Sequence, residues 1–421
     1  MRKRVTAAAL AGLLALATAA CGSGDDKTSD TGQVSLRMAV WTANEAHLKL
    51  FNDIANAYKT SHPNVTAITF DPIPFDSYTT TLTTQIAGGN GPDLAWILEG
   101  SAPDFVSSGA LVDLSGKIAD AADLSPAATK LWTTDGKLYA YPFSTSPFGV
   151  FVNNDMFKAA GLATPAEMVK DGKWTWADVV AAGAKINKVE QKAGMVVRDF
   201  DYKSWDNLAS VWSGWGAQAW SPDGKTCGFN QQPMVDAMTF LHKAIFTDKA
   251  FPGPGVAADF FAGQSAMTIT QISRAALLKD AKFGWDLVPL PAGPSGKYAV
   301  IGQAGLGALK KGKHADVAAD FLAFFTNPQN SASLAAYFPP PRKSQLTAAN
   351  LAKTNPLLKP EQLQSVVIEG IAGGVVKPSH TGQAELVQAV RAALDPLWKP
   401  DADVKSVLDG VCTAINPLLS K

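Results

Sequence analysis

Three cysteines and five histidines in 421 residues leave little from which to build a metal centre. There is no CxxC pair and the histidines are scattered, which argues against zinc. The chain also lacks HExxH and GxSxG, local signatures of zinc peptidases and serine hydrolases. Gly293-Pro294-Ser295-Gly296-Lys297 is rich in glycine but does not have the spacing of a phosphate loop. Tyr298 follows its lysine where Ser or Thr would be needed. Nothing in these patterns calls for a cofactor. No sign of charge prevails either, since 37 Lys and Arg balance 37 Asp and Glu. A net charge of zero argues against nucleic acid or an anionic membrane as the main partner. The apolar run from Val5 to Ala20 is short for a membrane span.

What the chain has in quantity is tryptophan, eleven in all. Roughly half suit a core; the rest suit a ligand surface, because a flat apolar face with a polar handle matches a sugar ring.

The stretch from Val34 to Glu99 organises the rest. Val34, Leu36, Met38 and Val40 alternate as in a strand. Leu48, Phe51, Ile54, Ala55 and Tyr58 then repeat at helical spacing, until His62-Pro63-Asn64 stops them. Val65 to Phe70 is a second strand, and Tyr78, Leu82 and Ile86 mark a second helical face. Leu94 to Leu98 is a third strand. Strands alternating with helices predict a parallel sheet with ligands outside its carboxyl ends. Those ends carry Trp41, Asn44 and Glu45, then Asp71 to Tyr78, then Trp96 to Ser101.

At the N-terminus, Arg2, Lys3 and Arg4 precede the apolar run, which ends at Thr18-Ala19-Ala20-Cys21-Gly22. This is the layout of an export signal. A cysteine after small residues resembles the bacterial lipoprotein box, with Thr18 where a leucine is usual. Lipidation of Cys21 is expected. Several acyl chains, at ~0.8 kcal/mol per buried methylene, hold a protein on a membrane where one is marginal. Residues 22–32 then form a flexible polar tether. Cys227 and Cys412 remain, and their spacing leaves both a disulfide and free thiols open.

Further along, Leu138 to Phe143 and Phe148 to Val152 read as two strands around Ser144-Thr145-Ser146-Pro147. Thr175 and Asp178 form a capping-box-like pair, and Trp174 and Trp176 suit helix packing. Trp205, Leu208, Ala209 and Trp212 share one helical face, whereas Trp215 follows Gly214 on a loop.

The opening unit, closed by GNGPDLAWI, resembles the start of a family 1 extracellular solute-binding protein. These are substrate-capturing lipoproteins of bacterial ABC importers, of the maltose-binding-protein type. The resemblance continues through Asn153-Asn154-Asp155-Met156-Phe157 with Ala160-Gly161-Leu162, and through Trp174-Thr175-Trp176-Ala177-Asp178. It extends to Phe260-Phe261-Ala262-Gly263 with Ala266-Met267, Trp285 to Pro291, Gly302 to Gly307, and Pro340-Pro341-Arg342-Lys343-Ser344.

The resemblance implies an α/β, two-lobed periplasmic-binding-protein fold with several interlobe crossovers and an α-helical C-terminal segment. Residues 1–21 would be the signal peptide with its lipidated cysteine. Residues 34–143 and 303–342 would form the N-terminal lobe, and residues 144–302 and 343–421 the C-terminal lobe. It also implies a cleft lined by Trp41, Asn44, Glu45, Asp76, Tyr78, Glu99 and Ser101 from the first lobe. The second lobe would add Tyr202, Trp215, Gln271 and Arg274, and the crossings Gln303 and Arg342. Trp41, Trp215 and Tyr202 would stack on rings, while Glu45, Asp76, Glu99 and Gln303 would bind hydroxyls. Gln271 and Arg274 stand where the family often carries an aromatic residue. His380 is a further candidate of the same kind.

The implied function is capture of a mono- or oligosaccharide and its delivery to an ABC transporter permease, by a non-enzymatic monomer anchored outside the cell membrane through lipid. Two rivals belong to other classes. Glu45, Asp76 and Glu99 could serve a secreted carbohydrate hydrolase. A non-sugar solute, such as a phosphodiester or polyamine, is the other, with Arg274 and Arg342 favouring the anionic version.

Overall fold

The computed structural model describes residues 32–197, 205–253, 255–256 and 258–420. Tyr202 and the signal region with Cys21 lie outside the described residues.

The strand–helix alternation of the opening stretch forms as its periodicity predicts. Strand β1 (Val34–Val40) leads to helix α1 (Glu45–Ser61), β2 (Val65–Pro72), helix α2 (Tyr78–Ala87) and β3 (Leu94–Leu98). Asn44 starts α1, its side-chain oxygen accepting from the Ala46 and His47 amides. Those amides have no carbonyl within the helix to bond, so an N-cap is the local remedy. Both β2 and β3 pair in parallel with β1.

A small hairpin of β4 (Thr133–Thr134) and β5 (Lys137–Leu138) precedes β6 (Tyr141–Asn153). Then follow β7 (Ala193–Val197), β8 (Ser265–Gln271), β9 (Trp285–Val288), β10 (Ala299–Ala308) and β11 (Gly374–Val376). The strands run in the order β2-β1-β3-β10-β6-β8-β7, with β11 beside β10 and β9 beside β6.

Two long strands stitch the lobes. The end of β10 pairs with β3 through Ala304 to Ala308, while its start pairs with β11 through Ala299 to Ile301. The first half of β6 pairs with β10, and its second half, from Phe148, passes between β8 and β9. The two strands expected around Ser144–Pro147 are therefore one continuous strand. Its prolines fit because they stand where the ladder changes: Pro142 lies beside an irregularity in the β10 pairing, and Pro147 is the last β6 residue paired with β10 before β8 takes over. Gly149 lies where β6 enters the second lobe, and a Cβ there would come within 2.7 Å of Leu287 Cδ1 and 2.8 Å of Val366 Cγ1. The segment around Pro339–Pro341 crosses beside them: the Thr145 amide donates to the Pro339 carbonyl at 3.2 Å and the Ser125 amide to that of Pro341 at 2.8 Å.

Each lobe buries its own core. In the first, Leu36, Met38, Phe51, Tyr58, Trp96 and Phe321 meet. In the second, Trp176, Trp205, Trp212, Phe229 and Met238 pack with Ile415 of the last helix, Val404–Leu419. A third cluster seats Phe151 and Leu287 against Leu363 and Val366. Burying each such side chain contributes about 1.5–3 kcal/mol. Thr175 and Asp178 form the full capping box, and Trp176 is 2% exposed, its indole N–H donating to the Tyr298 hydroxyl at 3.0 Å. Cys227 and Cys412 are joined by a disulfide that ties the Ser221–Thr226 loop to the last helix.

Candidate functional site

Parallel strands place their carboxyl ends on one rim, where the next connections begin. Here β1 delivers Trp41, β2 delivers the short turn Phe75–Ser77, and β3 delivers the turn Glu99–Ser101. Trp41 is half-buried. Its ring stands edge-on to Tyr78 at 5.2 Å and to Trp96 at 4.6 Å, with Phe143 tilted at 6.0 Å. These neighbours fix the indole and leave part of it at the surface. Phe75 meets it at 6.1 Å and 85°, and is itself 53% exposed. Two rings at a right angle thus form a corner on the first lobe. Phe75 is absent from the residues expected from sequence, which passed over it for its neighbour Asp76. Its position in the loop after an amphipathic strand was the available signal.

Asn44, Glu45 and Asp76 are exposed on this rim, and Ser101 is half-buried at the end of its turn. Asn44 has its side-chain oxygen engaged as the cap of α1.

Glu99 is 8% exposed and forms an ion pair at 3.0 Å with Lys377, which follows β11. The same ammonium donates to Asp206 Oδ2 at 2.7 Å and to Asn207 Oδ1 at 3.3 Å. Asp206 and Asn207 belong to the short turn Trp205–Leu208, which Trp205 and Leu208 anchor in the second-lobe core. Burial by itself would lower the Lys377 pKa, but Asp206 and Glu99 outweigh it and hold the amine above the ordinary lysine value. Lys377 is charged at any physiological pH. The lysine takes one carboxylate oxygen of each acid. Sequence reasoning named Glu99 and missed Lys377 and Asp206, which no spacing rule connects.

A second contact runs parallel to the first. The Gly382 amide, at the start of the helix Gln383–Leu394, donates to Asp104 Oδ1 of the helix Ala102–Ser107 at 2.8 Å.

Three expected residues sit elsewhere than in an open cleft. Tyr78 is 1% exposed and its hydroxyl lies 3.0 Å from the Ala39 carbonyl and 2.9 Å from that of Trp96, so it joins β1 to β3. Burial raises its pKa well above the usual tyrosine value. Gln303 is 2% exposed, with its amide donating to the Ala128 carbonyl at 3.1 Å. Arg342 is fully buried. Its guanidinium donates to the carbonyls of Ala119 and Thr326, both at 3.0 Å, and of Asp120 at 3.4 Å, and it lies 5.8 Å from the centre of the Tyr141 ring. These are backbone-satisfying roles, since a buried polar group needs a partner and the backbone supplied one. Trp215 is half-buried like Trp41, resting against Phe240 at 4.8 Å and Trp176 at 6.4 Å, two aromatic residues of second-lobe helices.

Gln271 ends β8, lying against Gly302 of β10, where a Cβ would overlap its amide. Arg274 is half-buried in the turn Ile272–Leu278 that follows. His380 is held by the second lobe: its Nε2 lies 2.9 Å from the Gly224 carbonyl and its ring meets Trp220 edge-on at 5.5 Å. Among the described residues, no group of three or more His, Cys, Asp or Glu is placed to hold a metal ion.

Known proteins share this sequence pattern and fold. A protein of Brucella abortus, described only as a binding protein, is 27% identical over 312 residues, covering 70% of either chain. The arabinooligosaccharide-binding protein of Bacillus subtilis is 25% identical over 339 residues, covering 74% of this chain and 73% of its own. Among solved structures, the cyclic alpha-maltosyl-1,6-maltose binding protein of Arthrobacter globiformis superposes with a TM-score of 0.79 at 21% identity, covering 92% of this chain and 99% of its own. Residues 43–332 match the model of the bacterial extracellular solute-binding protein family. The two-lobed sheet, the stitched crossings and this match over most of the chain together make it a member of the bacterial extracellular solute-binding protein family.

Proposed function

We propose that this protein captures a mono- or oligosaccharide between its lobes and hands it to the permease of an ABC transporter. The observation that carries the reading is the meeting of flat rings with acid groups at one rim. Trp41 and Phe75 offer apolar faces, while Glu99, Glu45 and Asp76 offer acceptors for hydroxyls. Sugars present both an apolar ring face and a fringe of hydroxyl donors, so the two sets complement them. The relatives whose names specify arabinooligosaccharide and cyclic maltosyl-maltose support the same class. Lobes joined by crossings close on a ligand by hinge motion, and a ligand adds to closure only by binding the closed form more tightly.

We assign residues 34–143 and 303–342 to the first lobe and residues 144–302 and 343–421 to the second. The separate cores support this division. Anchoring through a lipid on Cys21, with residues 22–32 as tether, belongs to the same reading. The anionic-solute alternative is weakened by two features: Arg342 is sealed among carbonyls, and Lys377 already faces two carboxylates.

Isothermal titration with arabinotriose and maltotetraose tests the proposal. Saturable binding without product is expected, since a micromolar complex needs about 8 kcal/mol. Trp41→Ala should then weaken binding about tenfold or more, by losing a stacking contact worth ~1.5 kcal/mol. No binding across a panel of neutral sugars, with saturable binding of glycerol phosphate, would overturn it.

A further inference from the structure

We propose that Lys377 is the positioning residue that fastens the two lobes together beside the rim where Glu99 emerges. The proposal rests on the capture reading for its purpose, but its test uses no sugar.

Lys377 is placed by backbone rather than by chance of a long side chain. It directly follows β11, which is paired with the second-lobe half of β10 through Ala299, Val300 and Ile301. Glu99 comes from the opposite lobe, at the end of β3, and Asp206 from the turn Trp205–Leu208. The three side chains are only 12%, 10% and 25% exposed for Lys377, Glu99 and Asp206. An ammonium has three protons to donate. Here three acceptors surround it, two of them charged: Glu99 at 3.0 Å, Asp206 at 2.7 Å and Asn207 at 3.3 Å.

The charge count makes the lysine essential to this arrangement. Without it, two carboxylates from opposite lobes would share a largely dry site. Like charges so placed repel, and a buried ion left without its partner is strongly unfavourable. Separating the lobes removes that conflict by returning Glu99 to water. Loss of Lys377 therefore favours separation, whereas an exposed surface pair would have little effect. The bond between Gly382 and Asp104 spans the same line between the lobes and reports on it directly, because its amide exchanges with solvent when the lobes part.

The experiment compares the sugar-free full chain with Lys377→Met, Lys377→Arg and Glu99→Ala. Small-angle scattering reads overall compactness, and hydrogen exchange of the segment around Gly382 reads the contact between lobes. In Lys377→Met, exchange at Gly382 should rise at least about tenfold, as expected for an orphaned ion in a closed site. The scattering should correspond to a more open particle, while exchange in β8 and β10 stays as in the parent. Lys377→Arg should restore both readouts. Glu99→Ala leaves the Lys377–Asp206 pair intact and should still open the protein. A folded Lys377→Met with unchanged scattering and Gly382 exchange overturns the proposal. Should Lys377→Met fail to fold, Glu99→Ala decides: unchanged readouts in that variant overturn it equally. A silent sugar titration beside an opened Lys377→Met would refute sugar capture alone.

Discussion

Arg342 offers the sharpest test of how side chains were assigned between fold and ligand. A cation with no exposed surface is expensive to bury, and this one is held by the carbonyls of Ala119, Asp120 and Thr326. Asp120 has a φ of +51°, in the left-handed region, and its carbonyl also accepts from the Asp123 amide at 2.9 Å. Replacing Arg342 by Met keeps most of the volume and removes every donor. The carbonyls of Ala119 and Thr326 then lack this bond, at about 1–3 kcal/mol apiece, whereas that of Asp120 keeps the Asp123 amide. Part of this is offset because the charge no longer has to be desolvated. A net loss of about 2–4 kcal/mol is expected once that offset is taken from the two orphaned carbonyls. At ~2 °C per kcal/mol for a chain of this size, the melting temperature should fall by roughly 4–8 °C. Lys at this position should recover only part, since a compact ammonium reproduces the fork of a guanidinium poorly. Scanning calorimetry measures the stability and titration with a binding sugar measures the affinity, below the melting point of the variant. If Arg342→Met kept its stability and lost affinity, the reasoning would be refuted, and the residue would belong to the ligand.

Other outcomes follow from the same packing. Reducing the bond between Cys227 and Cys412, which spans 185 residues, should cost about 5 kcal/mol by the chain-entropy argument, read as a lower urea midpoint in dithiothreitol. Tyr78→Phe removes one hydroxyl that joins β1 and β3, and should lower stability by about 1 kcal/mol with sugar affinity unchanged. Burial raises the pKa values of Tyr58, Tyr78, Tyr141 and Tyr298, with the bond to Asp320 adding to the effect at Tyr58. The folded chain therefore keeps protons that the unfolded chain releases. That stability is fully present below about pH 10 and is lost as pH rises further. Urea midpoints at pH 8 and pH 11 should differ in that sense, and equal midpoints would count against these burial assignments.

The residues whose roles were readable in advance are those whose environment is set by near neighbours. Alternation at Val34 to Val40, helical spacing from Leu48 to Tyr58 and the Pro63 stop all carry their own burial pattern, and the structure follows them. The Thr175–Asp178 box is complete within four residues. At β6 the expectation of two strands gave way to one, because the chain itself does not display where a ladder changes partners along its length. Among polar residues, the sequence located the acids at the strand ends but not what faces them. Tyr78, Gln303 and Arg342 stand at or beside strand ends or crossings just as Glu99 does, yet they turn inward to backbone carbonyls.

The chain alone thus determined the alternation of strand and helix, the rim on which Trp41, Asp76 and Glu99 emerge, and the family to which they point. Tertiary structure alone decided that Lys377 would meet Asp206 from 171 residues away and Glu99 from the other lobe, that Cys227 would reach Cys412, and that Arg342 would be sealed. The physical reason is range. Burial periodicity and capping act over one turn or one strand, whereas the pairing of charges and sulfurs depends on which loops the two lobes bring within a few ångströms of each other.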